Sequence, residues 1–305
     1  MTSIRMLALV SLSVLPQTAA ERPGGVLPPT QFWSESALVL VPVTVTDDRG
    51  GAINGLSREV FSVFDNKAPQ RIVAFSEQDI PVSLGIVLDL SGSMKDGLRE
   101  AKEVLRALLR DADPEDEALL LSVSDRPSMR SGFTGRLDGV VNRLLFAKAS
   151  GSTALVDTVY VGLSHMRDGR NARKALVVIS DGMDNHSRYS KGELMSAAVE
   201  SGVSVHSIAI QGPQGNRKPV ELIEERRGLA FLSDLAERTG GLNFVVQNGT
   251  EIDGAARAIG KALRNQYVLG YRPETLHKDG RWHVIRVKLA LPKARVYARP
   301  GYYSP

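Results

Sequence analysis

The stretch that decides the fold is Val82-Ser83-Leu84-Gly85-Ile86-Val87-Leu88-Asp89-Leu90-Ser91-Gly92-Ser93-Met94. From Leu84 to Leu88 it is short, aliphatic and free of charge, as expected of a strand buried on both faces of a parallel sheet. It then stops at Asp-x-Ser-x-Ser. Beyond Met94, residues Leu98, Ala101, Val104, Leu105 and Leu108 recur at helical spacing. The polar cluster therefore falls on a strand-to-helix turn, where open α/β sheets place their ligands. Alternate spacing lets a tight loop turn the oxygens of Asp89, Ser91 and Ser93 toward one point. Such a donor set suits a hard cation such as magnesium. The competing local reading is that Ser91 or Ser93 does no more than cap the following helix.

Residues 82 to 246 keep alternating strand with helix. Glu117 to Val123 is an apolar strand and Ser128 to Thr134 a polar edge strand, followed by a short helix at about 136–146. Ala149-Ser150-Gly151-Ser152-Thr153 is a polar loop that leads into the amphipathic run Ala154 to Met166. Lys174-Ala175-Leu176-Val177-Val178-Ile179-Ser180-Asp181-Gly182 repeats the design of the first strand, an aliphatic run ending in aspartate. Ser190-Lys191-Gly192-Glu193 reads as a capping box. Val203 to Ile210 is a strand, 228–239 a helix and Leu242 to Val246 a strand. The alternation requires parallel strands, right-handed crossovers and helices on both faces: an α/β class, doubly wound and Rossmann-like. In such a sheet the carboxyl ends of the strands share one edge. The loops at Asp89 and Asp181 can meet there, with Thr153 supplied by the loop that starts a neighbouring helix.

The flanks have another character. Residues 37–79 hold β-branched runs (Leu38 to Thr46, Val60 to Phe64, Arg71 to Phe75) and the turns Asp47 to Gly51 and Asp65 to Lys67. Residues 265–305, after a helix at Ile252 to Leu263, again read as strands. Each flank is too small to be stable alone, so the two are expected to pair into one small β-rich module around an α/β domain at 80–264. At the front, Arg5, the apolar Met6 to Leu15 and Thr18-Ala19-Ala20 have the layout of a secretory signal over 1–20, followed by a Pro/Gly leader at 21–36. That reading makes the protein exported, whether periplasmic, held in the cell envelope or secreted. The chain has no cysteine, which excludes disulfides and attachment through a lipobox cysteine.

Composition narrows the partners. Hydrophobic residues make up 43% and charged residues 24%, as in a soluble globular chain, and the net charge of +4 is scattered. Short basic runs such as Arg226-Arg227 lie beside Glu224 and Glu225, so a nucleic-acid groove is not expected. No later segment reaches the length of a transmembrane helix.

In its order and strand context, the set Asp89-x-Ser91-x-Ser93, Thr153 and Asp181 resembles the metal-ion-dependent adhesion site of the von Willebrand factor type A domain family. The likeness covers roughly residues 82 to 246. The flanks also resemble those of bacterial exported proteins with related domains, through Val43 to Asp65, Tyr267 to Tyr271 and Gly301 to Pro305. The resemblance implies that Asp89, Ser91, Ser93, Thr153 and Asp181 hold a divalent cation, magnesium ahead of manganese or calcium. It also implies that hydroxyls bind the metal directly, leaving it electrophilic toward a Glu or Asp side chain of a partner protein. Asp184 and Asn185 would stand on the rim of that site, or serve only to form its loop.

Two other classes compete with this interaction module. A structural cell-envelope scaffold would use the metal for stability alone. A hydrolase would need a nucleophile elbow, yet Asp89 and Ser93 stand where G-x-S-x-G requires glycine around Ser91. Gly92 to Gly97 has the spacing of a phosphate-binding loop, but Leu98-Arg99 replaces the Lys-Ser/Thr that must follow. His206, on an apolar strand, reads as a core residue. No catalytic residue is assigned, and a non-enzymatic role is expected.

Overall fold

The computed structural model describes residues 38–48, 50–211, 219–273 and 280–304. The expected signal segment and leader lie outside the described residues. Four strands come first, β1 (Val39–Thr46), β2 (Phe61–Asp65), β3 (Ala68–Gln70) and β4 (Ile72–Asp79). The α/β part follows as β5 (Val82–Asp89), α1 (Leu98–Arg110), β6 (Glu117–Val123), β7 (Ser128–Thr134), α2 (Leu137–Asn142), α3 (Leu155–His165) and β8 (Arg173–Ser180). It continues with α4 (Lys191–Ser201), β9 (Ser204–Ile210), α5 (Pro219–Thr239), β10 (Asn243–Val246) and α6 (Gly249–Arg264). The chain closes with β11 (Asn265–Tyr271), β12 (Trp282–Leu289), β13 (Arg295–Ala298) and β14 (Gly301–Tyr303).

The central sheet has the order β10-β9-β8-β5-β6-β7. Its first five strands are parallel and β7 is antiparallel at the edge. Every residue of β5 is buried, which is why the run is aliphatic throughout rather than alternating. Ile86 and Leu88 pack into a core with α1, α2 and α6, while Val87 faces a second core with α3, α4 and α5. Removing one such side chain, as in Leu88→Ala, would cost about 2–5 kcal/mol. The edge strand β7 is largely exposed and carries polar side chains, which suit an unpaired edge.

The flanks build two four-stranded sheets, β13-β1-β11-β4 and β14-β12-β2-β3. Each takes strands from before and after the α/β part, joined antiparallel as β1 to β11 and β2 to β12. Val41, Val43, Phe61, Val63, Leu269 and Ile285 fill the core they share. Phe61, Phe75 and Tyr267 form an aromatic cluster there, with ring centroids 5.1 to 5.9 Å apart.

Local bounds depart from the sequence reading in three places. The helix expected from 95 begins as a 3-10 turn at Gly92–Lys95, and α1 proper starts at Leu98 after Gly97. The helix expected over 136–146 is confined to α2, because turn bonds at Leu144, Leu145 and Ala147 end it. Helix α5 begins at Pro219 rather than 228. Its added turns expose Val220, Leu222 and Ile223, so no buried stripe announced them, and Pro219 suits a first helical position.

Candidate metal centre

Strands β5 and β8 are adjacent and parallel, with Leu88 opposite Ile179, so both release their loops at the same sheet edge. Asp89 ends the first and Asp181 follows the second. Asp89 is fully buried. Its Oδ1 accepts the Ser91 N–H at 2.9 Å, which bends the chain into the loop. Its Oδ2 accepts the Ser180 hydroxyl at 2.5 Å, and the Ser180 oxygen accepts the Gly182 N–H at 2.9 Å. One serine therefore ties the two strand ends together. Ser91 Oγ and Ser93 Oγ lie 3.0 Å apart, Ser91 buried and Ser93 exposed, so the hydroxyl pair leads from the interior to solvent. Met94, buried just beyond, anchors the turn.

The third loop is fastened to the first. Gly92 N–H donates to Gly151 O at 2.9 Å and Ser150 N–H to Leu90 O at 2.9 Å. Gly151 has φ +83°, and a Cβ there would come within 2.8 Å of the Asp125 carboxylate. That carboxylate also accepts the Ser152 N–H at 2.6 Å. Two residues on, Thr153 is buried, its N–H donating to Asn185 Oδ1 at 2.9 Å while its carbonyl accepts from Asn185 and His186 N–H at 3.0 Å. The three loops are thus cross-linked through their backbones.

Asp184 and Asn185 are committed to building this edge. Asp184 Oδ1 accepts the N–H groups of Leu155 (2.8 Å) and Val156 (3.2 Å). It caps α3, whose own N-cap, Ala154, has no side chain for the task. The Ser187 hydroxyl donates to the same oxygen at 2.5 Å. Asn185 holds Thr153.

Electrostatics single out Asp89. Burial first, and then the like charge of Asp181, pushes its carboxyl up to about 6, against hydrogen bonds from Ser180 and Ser91 that pull it down. Its donors are neutral, and the charge it feels most is of its own sign. Asp89 with Asp181 and the serine and threonine hydroxyls forms an oxygen-only donor set, which fits a hard divalent cation. Among the described residues no cluster of three or more His, Cys, Asp or Glu is found, so a metal here would depend on hydroxyl oxygens.

Ser180 and Asp125 were not singled out in the sequence. Ser180 sits inside the aliphatic run, where its hydroxyl has no local signature. Asp125 lies on a separate loop after β6. His206 is buried as expected, and its Nδ1 accepts the Leu242 N–H at 3.0 Å.

Residues 84–183 match the family model described as the von Willebrand factor type A domain. A protein of Borreliella burgdorferi, itself uncharacterised, is 24% identical over 185 residues, covering 53% of this chain and 53% of its own. The chain thus spans about half the length of that curated relative. Among solved structures, BatB from Bacteroides thetaiotaomicron is 20% identical, covering 59% of this chain and 98% of its own with a TM-score of 0.49. The vWF domain of the type V pili tip protein Mfa5 from Porphyromonas gingivalis is 12% identical, covering 61% and 97% with a TM-score of 0.47.

Proposed function

We propose that this chain, whose residues 84–183 match the von Willebrand factor type A domain family, is an exported protein-interaction module that binds its partner through a divalent cation. Asp89, Ser91, Ser93, Thr153 and Asp181 are the residues that would hold the ion. When bound, it supplies an electrophilic centre for one carboxylate oxygen from a Glu or Asp of the partner. Magnesium suits a site of hydroxyl and carboxylate oxygens that leaves positions for water or ligand.

The observation that carries the reading is the state of Asp89. A fully buried carboxylate facing a second carboxylate and bonded by neutral donors is unfavourable without a cation. The Ser91–Ser93 hydroxyl pair gives that cation a path to the surface. Asp184 and Asn185 position α3 and Thr153 at the rim of the site. No residue is assigned a catalytic role.

The test is a thermal-shift titration with magnesium, manganese, calcium and EDTA, beside Asp181→Ala. At a metal concentration of 100 Kd the site should add about 2.7 kcal/mol of stability. The gain should vanish in the variant. A folded protein that responds to none of the ions would end the metal reading. Metal stabilisation without metal-dependent recognition of carboxylate-bearing protein would favour the scaffold instead.

A further inference from the structure

We propose that Leu145 and Phe146 form a wedge that enters the surface of an anionic phospholipid bilayer. Phe146 is 94% exposed and Leu145 52%, whereas the preceding Leu144 is buried. An isolated apolar side chain at a surface is unremarkable. Here, two neighbours are held outward by a fixed turn. Leu144, Leu145 and Ala147 N–H donate to the carbonyls of Val141, Asn142 and Leu144 at 3.1 to 3.2 Å. Lys102 Nζ donates to Ala147 O at 2.9 Å, and Ser150 N–H ties the loop's far end to Leu90. With Leu144 drawn into the core, the turn leaves Phe146 no inward direction.

Charge names the occupant. From Gly139 to Val156 the ionisable side chains are Arg143 and Lys148, with no carboxylate between them. Both are exposed, and among the described residues neither has an ion-pair partner. Helix α1, packed against α2, adds Arg106 on the neighbouring surface, where Glu103 and the α2 residue Asp138 are the carboxylates, and Lys102 is taken up by Ala147 O. A protruding Phe–Leu pair flanked by cations matches the acyl boundary beneath a negatively charged headgroup layer. Arg and Lys can keep their charges among the headgroups while their stems and the two apolar side chains go deeper. This inference does not depend on the metal reading, and its test is run in EDTA.

The chain has no cysteine, so one placed at Leu145 can be labelled uniquely with an environment-sensitive dye. The full chain is titrated with phosphatidylcholine vesicles with and without about 30% phosphatidylglycerol, whose anionic headgroups give the surface a negative potential, beside a control label at exposed Glu200→Cys. The expected result is a blue shift at 145 with anionic vesicles and little at 200. Arg143→Gln or Lys148→Gln should each weaken it about fivefold, and Phe146→Ser should weaken it at least as much. Phe146 is solvent-exposed, so its replacement leaves the core intact. Equal shifts at both positions, no shift at 145, or full response in Phe146→Ser would overturn the proposal. An unresponsive loop would leave it as a protein contact instead.

Discussion

The Asp65 carboxylate accepts a 2.8 Å hydrogen bond from the Tyr271 hydroxyl, although 206 residues and the whole α/β part of the chain separate them. Tyr302 donates to the same oxygen at 3.0 Å, and His283 Nδ1 lies 3.2 Å from the other. Asp65 is buried where the sheets of the two flanks meet, so this node joins the segments before and after the α/β part. Burial, followed by the bond to Asp65, raises the Tyr271 hydroxyl far above its ordinary range, so it remains a donor. Burial and the Asp65 charge push Tyr302 up to about 12.

Asp65→Ala should therefore cost more than either Tyr→Phe change, because it strands two hydroxyls at once. About 3 kcal/mol is expected for Asp65→Ala and about 1–2 kcal/mol for Tyr271→Phe, read from urea unfolding. Equal losses for all three variants would mean that the shared acceptor contributes no more than one hydroxyl bond does.

His206 should make the protein acid-sensitive. Burial pushes its imidazole down to about 4, below the ordinary 6.5. A depressed histidine favours folding while neutral, so its contribution is present above about 6.5 and is lost as pH falls through about 4. The unfolded chain takes up the proton first. The loss approaches about 3 kcal/mol. Stability measured between pH 7 and 4 should fall less steeply in His206→Asn; an unchanged slope would place the acid sensitivity elsewhere.

Asp89 carries the opposite sign. Its carboxyl sits at about 6 against an ordinary 3.8. The protonated form is favoured in the fold, so that contribution is present below 3.8 and lost as pH rises through about 6. Without metal, Asp89→Asn should thus raise the melting temperature at pH 7, by up to about 3 kcal/mol of stability, while abolishing the magnesium response. In the parent protein the magnesium response should shrink below pH about 6, as protons compete for the site. A variant that is less stable than its parent in EDTA would refute the like-charge account.

Gly228 on α5 and Gly182 beside Asp181 pack backbone to backbone. A Cβ on Gly228 would lie 2.7 Å from the Gly182 carbonyl carbon and 2.8 Å from Asp181 O. Gly228→Ala should cost about 1–3 kcal/mol by overpacking and displace the Asp181 loop, weakening the magnesium shift in the same sample. An undiminished shift would show that Asp181 tolerates the displacement.

Much of this protein is local in origin. The aliphatic runs ending at Asp89 and Asp181, the Ser190 capping box and the polar edge strand are set by residues within a few positions of one another. Burial on both faces demands continuous aliphatics, and a cap needs its partner three residues on. The sequence alone therefore determined the α/β class, the placement of Asp89, Ser91 and Ser93 on a strand-to-helix turn, and the pairing of two β flanks that could not stand alone. The tertiary structure decided the rest. Ser180 meets Asp89 because β5 and β8 are neighbours, Asp184 caps a helix 29 residues before it, and Tyr271 reaches Asp65 across the inserted domain. Phe146 faces solvent because a buried Leu144 turns the chain outward. Each of these depends on where folding brings distant backbone together, which no spacing along the chain records.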